Sequence, residues 1–253
     1  MEEQQPTAFD MVEGGLLLVD KPVTWTSFDA VGKLRGALRS IARKRVKVGH
    51  AGTLDPLASG LLLLGFGRHT KQLPQLTGLD KTYIGRIKLG ATTPSFDAET
   101  AEEDHRPWAH IGLEELRTAV KGFLGEQLQR PPLFSAKRID GERAYHLARR
   151  GEDAEVPRSL VRIDMFTIDA MDGPEALFTV RCSKGTYIRS LAHDLGQALG
   201  CGAYLSALRR THIGDYSVAD ARSPDEWSDH FRALAEKARE RPDATGTPPP
   251  SEG

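Results

Sequence analysis

The residues best suited to chemistry lie in one short stretch, Gly49-His50-Ala51-Gly52-Thr53-Leu54-Asp55-Pro56-Leu57-Ala58-Ser59-Gly60. It sets a single carboxylate, Asp55, on a turn braced by Gly49, Gly52 and Pro56, directly before the apolar run Leu61 to Leu64. A carboxylate on a rigid loop at the edge of a core is suited to act as a general base or a nucleophile. The same pattern also fits an Asp that N-caps a helical turn opened by Pro56. A second candidate is Arg189, one residue off the apolar stripe Ile188, Leu191, Leu195 and Leu199 of a helix that starts near Gly185. It reads either as a surface arginine or as a guanidinium aimed at a buried carboxylate.

Charge adds a ligand class to these candidates. The chain is nearly neutral, with 34 Lys and Arg against 35 Asp and Glu, yet residues 30–54 carry Lys33, Arg35, Arg39, Arg43, Lys44, Arg45 and Lys47 and no acid. A second cluster, Lys137, Arg138, Arg143, Arg149 and Arg150, surrounds Tyr145, and Arg209 with Arg210 forms a third. One-signed patches in a near-neutral protein suit a polyanion held against one face, nucleic acid first; the first block also fits the solvated face of a helix.

The elements that must position these groups can be outlined. Strands are predicted at Gly15–Val19, Leu61–Phe66, Thr82–Leu89, Val161–Ile168 and Ala176–Cys182, the last two joined by a turn at Asp172-Gly173-Pro174. Helices are predicted from Ser27, over Leu113–Phe123, over Glu142–Arg150, after Gly185, and from Ser223-Pro224-Asp225-Glu226, which has the form of a capping box. Residues 129–141 read as extended, and the order of elements predicts an α+β fold. A chain of 253 residues buries about 70–75% of its unfolded surface and needs no staples. Cys182 and Cys201 have no CxxC spacing, and Met1–Glu13 lacks the form of a signal peptide, so a cytoplasmic protein with no membrane span is expected. The tail after Arg241 reads as disordered.

Six blocks in order, Asp20-Lys21-Pro22, Gly49 to Gly60, Lys81-Thr82-Tyr83, Pro131 to Gly151, Gly185-Thr186-Tyr187-Ile188-Arg189 and Leu208-Arg209-Arg210, resemble the TruB family of bacterial tRNA pseudouridine-55 synthases. The resemblance implies a pseudouridine-synthase fold over residues 14–222, with a mixed, largely antiparallel sheet, helices around it and a central RNA-binding cleft. Residues 129–158 would be a thumb-like insertion that grips the T stem-loop, and 223–240 a C-terminal helix. It implies an isomerisation of uridine in tRNA that needs no cofactor and no metal, by a monomer without a protein partner. Asp55 matches the catalytic aspartate and Arg189 the arginine that pairs with it. Tyr83 matches the tyrosine that stacks on the flipped uracil, with a hydroxyl able to help move the C5 proton. His50 matches a histidine that fills the space left by the flipped base, and Tyr187 and Leu208 match pocket positions. The sequence departs at Thr93-Pro94, although Asp97 is kept, and at Arg138, where the family has lysine; both are expected to be peripheral. The further C-terminal RNA-binding domain of many relatives is not expected.

Overall fold

The computed structural model describes residues 13–42, 44–135, 137–139, 141–152 and 156–240. The expected tails at 1–13 and 241–253 lie, apart from Glu13, outside these residues, as do Arg43 and the side chains of Arg138 and Arg143 from the basic clusters.

In chain order the elements are β1 (Gly15–Lys21), α1 (Ser27–Ala42), β2 (Val48–Ala51), β3 (Ala58–Phe66), α2 (Leu73–Thr77), β4 (Lys81–Leu89), α3 (Leu113–Ala119), β5 (Gly125–Gln129), β6 (Arg138–Ile139), β7 (Glu142–Arg143), α4 (Ala144–Arg149), β8 (Ser159–Asp172), β9 (Glu175–Cys182), α5 (Ile188–Ala198), β10 (Ala203–Ile213), β11 (Tyr216–Ser217) and α6 (Pro224–Glu240). Among the described residues nine strands form one sheet, ordered β1-β3-β10-β4-β9-β8-β5, with β2 on β3 and β11 on β10; β6 and β7 form a separate hairpin. Only β3 and β10 run parallel, pairing Leu208 with Ala58 and Arg210 with Gly60; every other pairing in the sheet is antiparallel. The fold is thus α+β with a mixed, largely antiparallel sheet, as expected.

Strand β3 explains the unbroken leucine run. Leu62 and Leu64 pack with α1 and α6 against Val31, Leu34 and Phe231, whereas Leu61 and Leu63 face a second cluster around Leu76 and Ile213. A strand covered on both faces shows no alternation. A third core lies between β4, β8, β9 and α5, centred on Ile87, Phe166, Phe178 and Leu191. The capping box at α6 forms: Ser223 Oγ accepts from Glu226 N at 3.2 Å and Glu226 Oε2 accepts from Ser223 N at 2.7 Å.

Several boundaries shift. Strand β8 runs to Asp172, where a two-residue turn carries Gly173 at φ 55° and pairs Asp172 with Glu175. Its alternation is broken by irregularities between Ile163 and Met165 and between Ile168 and Ala170, which hide its length. The helix expected from Glu142 begins at Ala144, because Glu142 and Arg143 pair with Ile139 and Arg138. Helix α3 ends at Ala119 and passes into a 3₁₀ turn over Val120–Phe123.

Candidate active site

The carboxylate is placed by a turn fixed at several points. Gly52 follows β2 at φ 79°, a left-handed conformation that favours glycine. Ser27 Oγ, at the start of α1, accepts from Leu54 N at 2.9 Å and donates to Leu54 O at 3.2 Å, and Thr24 N donates to Pro56 O at 2.7 Å. Asp55 O accepts from Ala58 N at 3.1 Å, and the chain enters β3 with no helix at Pro56. The N-cap reading of Asp55 is therefore corrected: the turn feeds a strand.

Arg189 stands in the first turn of α5 and is buried. Its Nη2 lies 2.9 Å from Asp55 Oδ2, with the arginine side chain 7% exposed and the aspartate 47%. Its Nη1 donates to Phe134 O at 3.0 Å and Ser95 O at 3.3 Å, and its Nε lies 3.6 Å from Asp97 Oδ2. A planar guanidinium held at this many points has one orientation, and so fixes the direction of Asp55. Asp97 is held in turn, its Oδ1 accepting from Ser95 Oγ at 2.6 Å and Glu99 N at 2.9 Å. Among the described residues no hydrogen bond reaches Asp55 Oδ1, and with its side chain 47% exposed the carboxylate stays open toward a ligand.

Asp55 and Arg189 line a cavity of about 510 Å³ together with Tyr83, Tyr187, Leu208 and Lys81. Strand register brings Tyr83 and Leu208 in: on β4 and β10 Tyr83 is opposite Arg210 and Gly85 opposite Leu208. Burial raises the Tyr83 hydroxyl above its usual pKa of 10, against the pull of Arg210. The Tyr187 hydroxyl is likewise raised by burial. His50 does not line the cavity. It sits half-buried on β2 opposite Leu64, its Nδ1 buried without a partner among the described residues, and burial, then Arg210, lower it below 6.5.

Three cations at this site are assigned no role by the sequence. Arg210, 1% exposed, donates from Nε to Leu61 O at 2.7 Å and from Nη2 to Gly52 O at 3.1 Å. It approaches so closely that a Cβ on Gly60, at φ 101°, would lie 2.3 Å from Arg210 O. Lys81 donates to Thr77 O and Leu79 O, each at 2.6 Å, and burial followed by the charge of Arg210 lowers it to about 8. Lys21 donates to Trp25 O at 2.6 Å and Pro22 O at 2.9 Å; burial lowers it to about 8 while Asp55 pulls the other way. The two lysines belong to the motifs Asp20-Lys21-Pro22 and Lys81-Thr82-Tyr83, and the signal for them is a cation at the buried end of a strand. Asp97, the aspartate kept after the departure at Thr93-Pro94, touches Arg189.

The basic clusters are also redistributed. The third is no surface patch, since Arg210 is buried and Arg209 pairs with Asp20 at 2.7 Å. These two residues alternate across a strand, one on each face of the sheet. Lys33 pairs with Asp225 of α6, and Arg150 pairs with Glu142 and Glu152, whereas Arg35 and Arg39 stay exposed on α1. Arg149 stacks over Tyr145 at 4.6 Å. Among the described residues no three His, Cys, Asp or Glu side chains form a metal-binding group, and no helix is long and apolar enough to cross a membrane.

This fold is that of the pseudouridine synthases. The chain superposes on a chain of an archaeal box H/ACA sRNP Nop10–Cbf5 complex with a TM-score of 0.65 and 25% identity, covering 93% of this chain and 59% of that one. A Cbf5–Nop10–Gar1 complex gives a TM-score of 0.66 and 26% identity, covering 94% and 64%. The protein therefore spans less than two thirds of each of those chains. Residues 39–188 match the family described as TruB family pseudouridylate synthase (N terminal domain), and 189–243 the tRNA pseudouridylate synthase B C-terminal domain. A tRNA pseudouridine synthase B of Chlorobium luteolum is 48% identical over 89% of this chain and 78% of its own length. One of Flavobacterium johnsoniae is 49% identical over 85% and 95%. The chain belongs to the TruB family of pseudouridylate synthases.

Proposed function

We propose that this protein isomerises the T-loop uridine of tRNA to pseudouridine, with Asp55 as the catalytic carboxylate and Arg189 as the group that aims it. The observation that carries the reading is the 2.9 Å Asp55–Arg189 contact on the wall of the cavity that also holds Tyr83. The uridine is flipped out of its loop, at a cost of a few kcal/mol, into that cavity. Its ring stacks on Tyr83, a contact worth about 1–3 kcal/mol, between Leu208 and Tyr187.

The open oxygen of Asp55 then acts at the sugar, either by adding to C1′ or by taking the C2′ proton to leave a glycal. In both routes the N1–C1′ bond breaks, the freed uracil turns within the cavity, a C5–C1′ bond forms, and the C5 proton is lost while N1 gains one. Atoms and oxidation state balance, so the step draws on no cofactor. Tyr83 serves as a stacking surface, because a hydroxyl whose pKa is raised by burial holds its proton and makes a poor base. Lys21, Lys81 and Arg210 supply positive charge for the phosphates of the flipped nucleotide. His50 contacts the RNA outside the cavity, and residues 129–158 grip the T stem-loop. The protein works as a monomer in the cytoplasm.

The test is tritium release from a T-arm stem-loop labelled at uridine C5, with no cofactor added. Release that persists in EDTA supports an isomerisation that needs no metal; no release at all contradicts the reading.

A further inference from the structure

A second cavity, of about 480 Å³, lies one turn along α5 from Arg189 and shares no lining residue with the catalytic one. Its walls come from the two straps that hold Arg189: Phe96 is flanked by Ser95 and Asp97, and Leu133 adjoins Phe134. At this cavity Arg130 and Arg158 are exposed, and among the described residues neither guanidinium makes a hydrogen bond or an ion pair. Elsewhere on the surface Arg117, Arg150 and Arg162 each hold a carboxylate. Two unpaired forks at one cavity match a phosphate in charge and shape.

The third group is His193, whose ring stacks on Phe96 with centroids 3.8 Å apart and planes at 16°. Its Nδ1 is buried with no partner among the described residues. An unmade N–H is costly to bury, so the proton of the neutral ring is assigned to Nε2, which leaves a donor for the cavity. Burial lowers the ring below 6.5 and keeps it neutral at pH 7. Phe96 itself adopts φ 62°, a strained value for a residue other than glycine, with its carbonyl held by Leu205 N at 3.0 Å. Asp194 adds an acceptor to the same walls, its carboxyl raised by burial while the charge of Arg158 pulls the other way.

We propose that this cavity binds the phosphate of a ribonucleotide unit, with Arg130, Arg158 and His193 Nε2–H as donors and Asp194 accepting from a ribose hydroxyl. The unit has two sources, a nucleotide of the bound RNA outside the catalytic cavity or a free nucleotide. Either would press on the straps that fix Arg189. The RNA source rests on the function proposed above.

The experiment compares the full chain with Arg130→Gln/Arg158→Gln in two arms. The first titrates adenosine 5′-monophosphate by calorimetry. The second maps ethylation interference on a T-arm stem-loop. Binding of the monophosphate that weakens about tenfold or more in the double variant assigns a free nucleotide. One ethylated phosphate that blocks wild-type binding and becomes harmless in the variant assigns the RNA. No difference in either arm overturns the site, as does a uniform loss of RNA affinity with an unchanged interference pattern. Arg130→Lys/Arg158→Lys recovers part of the effect if charge is what matters, and unchanged far-UV circular dichroism shows that the variants fold. Tritium release by the wild-type preparation reports separately on the catalytic reading.

Discussion

Arg189 and Asp97 lie 3.6 Å apart through Nε, each with a side chain only 7% exposed, while Nη2 of the same guanidinium reaches Asp55. The arginine is thus shared between a buried acid that steadies it and an exposed acid, Asp55, that it aims. Asp97→Asn keeps the size and the acceptor but removes the charge. Its expected effect is a fall in kcat of about 10²-fold with KM little changed, since misplacing a catalytic group by about 1 Å costs that much. Steady-state kinetics on the stem-loop checks it, and a change confined to KM contradicts the positioning role.

The two depressed lysines set opposite pH dependences for stability and for binding. Lys21 and Lys81 release their protons near pH 8 in the folded chain but near 10.5 when unfolded. Burying the charges costs stability below pH 8, and that cost fades as pH rises toward 10.5. RNA binding moves the other way, because the site loses two positive charges as pH rises through about 8. The log–log salt slope, about 0.7–0.9 per phosphate contacted, should therefore shrink between pH 7 and pH 9. Filter binding across salt at both pH values measures it, and a Lys81→Met variant, which keeps Lys21, should lose about half of the change.

His50 and His193 impose a limit on the acid side. Both are held below 6.5 by burial, so the unfolded chain takes up these protons first as pH falls. Their contribution is whole above about pH 6.5 and is lost as pH drops toward the folded values. Urea denaturation between pH 7 and pH 5.5 should show falling stability, with a shallower fall in His50→Gln/His193→Gln.

Gly60 should tolerate no side chain. At φ 101°, where an added Cβ would stand 2.3 Å from the Arg210 carbonyl oxygen, Gly60→Ala must push β3 from β10. A loss of about 3 kcal/mol or more is expected, read as a fall in the urea midpoint.

These contacts show why some of the molecule is legible in its sequence and some is not. The leucine run of β3 and the capping box of α6 are local signals, and both stand where expected. Strand β10 escapes prediction, because irregularities between Leu205 and Ala207 and between Arg210 and His212 break its alternation and a buried arginine interrupts its apolar face. Arg209-Arg210 accordingly reads as a surface patch. The meeting of Asp55 with Arg189 is legible only through resemblance, since no local pattern records which strand lies beside which. The contact of Asp97 with Arg189 is hidden for a related reason: its partner is supplied by α5, far along the chain.

The central claim is that a carboxylate aimed by a buried guanidinium does the chemistry, and Asp55→Asn tests it most directly. The variant should bind the labelled T-arm stem-loop with near wild-type affinity and release no tritium from C5. Tritium release by Asp55→Asn at a substantial fraction of the wild-type rate would contradict the claim.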